Sequence, residues 1–282
     1  MLKLKRGRTQ DGSAQLRKVL GSAELPTIPG LVAAAIERVS APECDLREVA
    51  EIVGRDPGLS ARLLTVVNSA AYAPRNPIVG VTQAVTMFGK NHLESMLISL
   101  AASRVVAANP PPGFDMPRFW RVASWRASAA ASLSKQFDRS HSSENFSAAL
   151  LEDIAVPLLV GSQPSYGIVL ADWRAGKGDL ADLEREAFGW THATIAGWLF
   201  DEWGFPDSLR DAVTETCNGD PSSLEYPVVR VVSALGAPGD YPEVIQDTAN
   251  RVSKVFGVGN DDAMELLEAA RLDGATLAQS LS

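Results

Sequence analysis

The sequence predicts an all-α protein, on three observations. Apolar residues recur at helical spacing in two stretches, so that each stretch would form a helix with one buried face. These positions are Leu59, Leu63, Val66, Val67 and Ala70 in one stretch, and Ile195, Trp198, Leu199 and Trp203 in the other. No run alternates strictly between apolar and polar residues, and no Asn-Gly or Asp-Gly turn joins two β-branched runs. A β-sheet is therefore not indicated.

Start and stop signals divide the first half into short helices. The segment Ser40-Ala41-Pro42 ends one predicted helix, and Asp45 is expected to cap the next, with Glu48 in the capping-box position. Pro57 suits the first turn of a third helix. The fourth stretch is expected to form one or two helices, with a break near Gly89. The predicted helices span residues 31–39, 46–53, 59–71 and 81–106.

A proline-rich segment, Asn109–Gly113, gives the strongest linker signal, because three consecutive prolines cannot continue a helix. After it, Thr191 is expected to cap the helix that contains Ile195, and the other predicted helices span 119–137, 146–159 and 180–188. We interpret the chain as a basic flexible N-terminal arm (1–22), a first helical subdomain (23–110), a second one (111–275) and a frayed tail (276–282).

Composition and charge indicate a soluble globular protein. Of the 282 residues, 46% are hydrophobic and 21% are charged, and the net charge is −8. Residues 1–20 carry six basic residues and one acidic residue, so the remaining chain carries −13. We expect this acidic body to repel phosphate backbones, and we expect no nucleic-acid partner.

Cysteine usage and hydropathy point to the cytoplasm. Cys44 and Cys217 lie far apart and form no CxxC pair, so neither a disulfide framework nor a zinc knuckle is predicted. The longest apolar stretch, 96–108, is interrupted by polar residues, and no signal-peptide core follows the basic start. We expect no membrane contact.

Catalytic motifs are scarce in this sequence. The three histidines are His92, His141 and His192, and they form neither HExxH nor a pair at i, i+4 spacing. GxGxxG, the Walker lysine loop and GxSxG are also absent, so dinucleotide binding, P-loop hydrolysis and α/β-hydrolase chemistry are not predicted.

Several motifs together resemble those of HDOD domains over residues 23–270. In the first half these motifs are LPTIP (25–29), DPGLSARLL (56–64), VNSAAY (67–72), VTQAV (81–85) and Phe88-Gly89. In the second half they are FWR (119–121), ALLEDI (149–154), GWTH (189–192) and WGFP (203–206). The resemblance implies a helical bundle of two packed subdomains, the second of which is similar to HD-domain metal-dependent phosphohydrolases.

The resemblance also implies where metal ligands would fall. The corresponding positions are Val122, Glu152, Asp153, His192, Cys217 and Ser233. Several of these residues cannot replace the ligands of a two-metal centre, since valine, for example, has no lone pair to donate. We therefore predict a vestigial site with no catalytic residue, no metal and no cofactor. Glu152 and Asp153 are interpreted as a local hydrogen-bonding or ion-paired feature, and His192 as a helix residue beside its cap.

The functional prediction is a non-catalytic output or scaffold module in bacterial signalling, with cyclic-dinucleotide signalling as a candidate link. Its partner would be a signalling protein in trans, such as a diguanylate cyclase, a histidine kinase or a response regulator. Arg121, Trp125 and Arg126 are a candidate partner surface, because aromatic residues and arginine are common interface anchors. For Trp125, the alternative to a place on this surface is burial in the protein core. Two other functions stay open: a degenerate metal phosphohydrolase, and a nucleotide-sensing module without cleavage.

Overall fold

The described part of the chain is helical, which confirms the predicted all-α class. The computed structural model describes residues 9–21, 27–69, 72, 74–108, 110–217 and 224–281, and these ranges contain no β-strand. The α-helices are α1 (Thr9–Leu20), α2 (Gly30–Ser40), α3 (Leu46–Gly54), α4 (Pro57–Val67), α5 (Val81–Ala108), α6 (Met116–Phe137), α7 (Ser142–Leu151), α8 (Ala155–Ser162), α9 (Tyr166–Arg174), α10 (Leu180–Phe188), α11 (His192–Trp203), α12 (Asp207–Thr214), α13 (Pro227–Val232), α14 (Tyr241–Phe256) and α15 (Asn260–Leu281). Short 3-10 helices lie at Arg139–His141, Glu215–Cys217 and Ser233–Gly236.

Aspartate side chains cap α3 and α4; the cap at Asp45 was predicted from the sequence, and the cap at Asp56 was not. The Asp45 carboxylate accepts a hydrogen bond from the backbone N–H two residues later, at 2.8 Å. Asp56 accepts one from the N–H three residues later, at 3.0 Å. Each bond satisfies a donor that lacks an intrahelical partner. The expected capping box is wrong, because the Glu48 carboxylate pairs with Arg38 of α2.

Asn68 ends α4 earlier than predicted and ties the following loop to the helix. Its side-chain amide donates to the carbonyls of Leu64 and Ile78, both at 2.8 Å. Its amide oxygen accepts from the Ile78 N–H at 2.7 Å. Further along, α5 is one element with a kink at Gly89, where φ is 66°. That conformation favours glycine, so the predicted break near Gly89 is confirmed.

The helix predicted over 146–159 is two helices in the structure. α7 ends at Leu151, α8 begins at Ala155, and residues 152–154 form a turn between them. This turn contains neither proline nor glycine, so no local signal marks it. The turn places Glu152 just before the start of α8. Glu152 is only 2% exposed there.

Both predicted flexible ends are wrong for the residues that the structure describes. Helix α1 packs against α11, with Gly12 against the indole of Trp198 and Leu16 fully buried. Residues 1–8 of the predicted arm lie outside the described ranges. At the other end, α15 continues to Leu281, and the side chains of Leu277 and Leu281 are buried. Apolar residues at helical spacing hold both ends in place.

The two halves of the chain share one continuous apolar core. The proline-rich segment lies between α5 and α6, as predicted, but α5 then packs against α7 of the second half. Helix α15 packs along α6 and also contacts α4 and α5. These helix contacts place α6, which carries much of the candidate site, at the centre of the fold.

One stretch, Arg139–Ser162, meets the length and apolarity expected of a membrane span among the described residues. Its most apolar window is 72% buried inside the protein. The turn at residues 152–154 also interrupts it. Such burial is typical of central helices in a soluble core.

We expect Gly274→Ala to destabilise the fold, because α6 and α15 approach closely at this glycine. An added Cβ would lie 2.8 Å from the Trp125 backbone N and Cα and 2.9 Å from the Ser124 carbonyl oxygen. Overpacking of this kind costs about 1–3 kcal/mol, measurable as a shift in urea denaturation. Gly167→Ala in α9 is the control, because its Cβ would meet nothing within 4 Å. Equal stability changes in the two variants would contradict the close approach.

Candidate functional site

The residues at the implied metal-ligand positions converge on one part of the structure. A cavity of about 130 Å³ is lined by Glu152, Asp153, His192, Cys217 and Ser233. Val122 lines an adjoining cleft of about 80 Å³, which shares Asp153 with the cavity. Five separate elements supply these side chains: α6, the turn between α7 and α8, α11 and two 3-10 helices. The fold therefore brings together residues that lie up to 111 positions apart.

Arg126 provides the positive charge in this cavity. It lies one helical turn after Val122 on α6, and it is only 5% exposed. Its Nη1 atom is 2.5 Å from Asp153 Oδ2 and 2.6 Å from Glu152 Oε1. Its Nη2 atom donates to the Ser233 carbonyl at 2.9 Å. The predicted ion pair is confirmed for Asp153, with Arg126 as its cation.

The two carboxyl groups beside Arg126 titrate in opposite directions. Burial raises the pKa of Glu152 to about 8, and the charge of Asp153 adds to this effect. For Asp153, burial acts in the same upward direction, but the Arg126 guanidinium outweighs it and lowers the pKa of this carboxyl. Neither Glu152 oxygen accepts a well-oriented hydrogen bond from the described residues, although Oε1 is close to Arg126. Near neutral pH, Asp153 is therefore the ionised partner, and Glu152 holds a proton.

Gly236 leaves the space that the Arg126 guanidinium occupies. A Cβ atom at this position would collide with Arg126 Nη2. The guanidinium cannot move away freely, because Asp153 and Ser233 hold it from other directions. Backbone and side chain thus fit each other closely at this point.

A second polar cluster surrounds His192 at the start of α11. Its Nδ1 atom is 2.8 Å from Glu184 Oε2, which also accepts from the His192 backbone N–H at 2.9 Å. The other Glu184 oxygen accepts a hydrogen bond from the Tyr166 hydroxyl. On its far side, His192 Nε2 is 3.3 Å from Asp153 Oδ1 and 3.6 Å from Cys217 Sγ.

The imidazole of His192 is held in a charged environment. Burial disfavours its protonated form, but the electrostatic interactions and hydrogen bonds with Cys217 and Glu184 outweigh burial and raise the pKa of His192 well above its ordinary value. Near neutral pH the imidazole is therefore protonated, and Nδ1 donates to Glu184. The expected Thr191 cap is confirmed, since its hydroxyl oxygen accepts from the Thr194 N–H at 3.1 Å.

The residues in this cavity do not fit a metal centre. Asp153 already binds a guanidinium, and an added cation would lie beside that fixed positive charge. Among the described residues, no group of three His, Cys, Asp or Glu side chains is placed to hold a metal ion. Val122 offers no donor, and the Ser233 hydroxyl donates to the Arg230 carbonyl at 2.8 Å.

The candidate partner surface is wrong for two of its three residues. Arg121 is exposed, but Arg126 is buried, and Trp125 is 8% exposed. The Trp125 indole N–H donates to the Leu267 carbonyl at 2.9 Å, and its ring stacks on Tyr241. Core packing, the alternative for this tryptophan, is therefore confirmed.

The sequence analysis assigned Arg126 to the partner surface, whereas it lines the cavity, and it did not identify Glu184 and Tyr166. For Arg126 a signal was available, because i, i+4 spacing places it on the same helix face as Val122. No comparable signal exists for the other two residues. Glu184 lies in α10 and Tyr166 in α9, and only the packing of these helices brings them to His192.

We expect a double-mutant cycle to show that Gly236 and Arg126 are coupled. Gly236→Ala should lower the free energy of unfolding by about 1–3 kcal/mol, because the new methyl group displaces the guanidinium. In an Arg126→Met background the same change should cost at least about 1 kcal/mol less. Urea denaturation of the four proteins measures this difference. Additive effects would contradict the contact.

The chain resembles known proteins in sequence. A family model described as the HDOD domain matches residues 25–218, which is more than half of the chain. An uncharacterized protein of Treponema pallidum (strain Nichols) is 21% identical over 215 residues, or 74% of this chain. The chain spans 41% of the length of that curated relative.

Solved structures share its fold. A candidate phosphohydrolase from Shewanella amazonensis SB2B has a TM-score of 0.73 and 24% identity, with 95% of this chain and 98% of that chain covered. A candidate signal transduction protein from Marinobacter aquaeolei VT8 has a TM-score of 0.67 and 19% identity, with coverage of 97% and 65%. At these identities the likeness shows the fold alone. Together with the family match, it shows that the chain belongs to the HDOD domain family.

Proposed function

We propose that this chain is a non-catalytic signal-transduction module that acts by binding another signalling protein. The observation that carries the proposal is the position of the Arg126 guanidinium between the two carboxyl groups of the cavity. A guanidinium neutralises carboxylates, but it cannot bind and activate water as a metal ion does.

The polar groups of the cavity support a structural role better than hydrolysis. Two-metal hydrolysis needs several donors that remain available to cations on both sides of the reacting phosphate. Here Asp153 is paired with Arg126, and His192 Nδ1 is bound to Glu184. The pairing of these groups favours a site that stabilises the fold, although a structural neighbour is named as a candidate phosphohydrolase.

The size of the cavity favours protein contact over nucleotide sensing. Pockets for drug-sized ligands have volumes of about 300–1,000 Å³. This cavity has about 130 Å³, which suits a few water molecules or a small polar molecule. A dinucleotide would need the cavity to open substantially.

The proposed partner is a signalling protein in trans, of the kinds that the family resemblance implies: a diguanylate cyclase, a histidine kinase or a response regulator. One structural neighbour is named as a candidate signal transduction protein, which supports this assignment. We place the contact in the bacterial cytoplasm. Arg121 is the one residue of the candidate surface that is exposed for such a contact.

We expect the purified chain to show no hydrolysis of cyclic dinucleotides when Mn²⁺ or Fe²⁺ is added. Product formation is measured by chromatography, with an active metal-dependent phosphohydrolase assayed in parallel. The reason is that Arg126 competes with any added cation for Asp153. Turnover that disappears on Asp153→Ala would overturn the non-catalytic proposal.

Affinity capture from the native cytoplasm tests the partner. We expect a signalling protein to co-purify with the chain, and Arg121→Glu to reduce its recovery severalfold by reversing an exposed charge. Arg47→Glu is the matched control, since Arg47 is exposed on α3. Equal loss with both variants would show a general charge effect, and unchanged recovery with Arg121→Glu would remove this residue from the surface.

A further inference from the structure

The thiol of Cys217 lies in an arrangement that the proposed signalling function does not use. Its Sγ atom is 3.6 Å from His192 Nε2, and His192 Nδ1 is 2.8 Å from Glu184 Oε2. The thiol of Cys217 therefore contacts the imidazole of His192, which in turn contacts the carboxyl group of Glu184. Nucleophilic thiols are activated by this sequence of groups, in which the base is itself oriented by a third group.

The imidazole is fixed in the orientation that faces the thiol. Glu184 is fully buried and accepts from the Tyr166 hydroxyl and from the His192 N–H. With Nδ1 bound to this carboxylate, Nε2 is the nitrogen that faces Cys217. The arrangement rests on three helices of the core, α9, α10 and α11, so it is held by packing.

The thiol also has space in front of it. Cys217 is partly exposed and lines the cavity of about 130 Å³. Two buried polar atoms of cavity-lining residues, Arg126 Nε and Glu152 Oε2, have no hydrogen-bond partner among the described residues. Buried polar groups normally have partners, so these atoms indicate that the cavity takes up a small polar molecule.

We propose that Cys217 is a reactive thiol that His192 activates for oxidation by a small hydroperoxide. The hydroperoxide has few atoms, as the cavity requires, and its two oxygens can accept or donate hydrogen bonds. This function is separate from partner binding and gives the module a chemical input.

The reaction balances without any further reactant. In the reactive state the proton that Sγ gives up lies on His192 Nε2, so that an imidazolium faces the thiolate. The thiolate attacks the terminal oxygen of the hydroperoxide. An S–O bond forms as the O–O bond breaks, and the departing oxygen recovers the proton from Nε2. Cys217 is oxidised by two electrons to the sulfenic acid, and the hydroperoxide is reduced to an alcohol or to water.

The experiment compares the two cysteines of one molecule. The full chain is treated with hydrogen peroxide at pH 7 in the presence of a dimedone-type trap, and labelling of each cysteine is followed by peptide mass spectrometry. Cys44 is the internal control, because it is also partly exposed and forms no hydrogen bond to a histidine among the described residues. We expect Cys217 to react at least about tenfold faster.

Two further measurements connect the rate to the geometry. In urea the rates of the two thiols should become equal, because the native arrangement is lost. In His192→Asn the Cys217 rate should fall to that of Cys44, with circular dichroism used to confirm that the variant is folded. A native Cys217 no faster than Cys44, or an unchanged rate in the folded variant, would overturn the proposal. If His192→Asn does not fold, the comparison of native and urea-treated protein decides.

Discussion

The buried positive charge of Arg126 is the constraint on which the centre of this structure depends. A guanidinium stays protonated at any physiological pH, so it cannot escape the cost of burial by losing its charge. The chain meets this requirement with two separate elements. The turn between α7 and α8 supplies two carboxyl groups, and the 3-10 helix at Ser233–Gly236 supplies a carbonyl and, at Gly236, the space. Each element is placed where the guanidinium needs it.

The sequence predicted those features whose causes are local. Asp45 caps α3 because its side chain reaches a backbone donor two residues away, and Gly89 kinks α5 because it can adopt a positive φ. The implied ligand positions also cluster as expected. The burial of Arg126 was not predicted, because arginine is usually exposed and only the assembled fold provides its partners. The break at residues 152–154 was missed for a related reason, since tertiary contacts and no local signal impose it.

The same fold can hold different chemistry because its cavity is formed by elements that come from distant parts of the chain. In this chain the positive charge at the centre of the cavity is that of the Arg126 side chain. The cavity cannot therefore lose it when solution conditions change, and the carboxyl groups around it keep their opposite protonation states near neutral pH.

The packing of α15 against α6 has a consequence for how the molecule reaches its native state. These two helices lie more than a hundred residues apart in the sequence, and α15 also contacts α4 and α5. During synthesis α6 leaves the ribosome long before α15, so the face of α6 that packs on α15 has no native cover at that stage. Chain closure over such a long separation also slows folding. The nascent chain is therefore expected to need protection from aggregation until α15 has emerged.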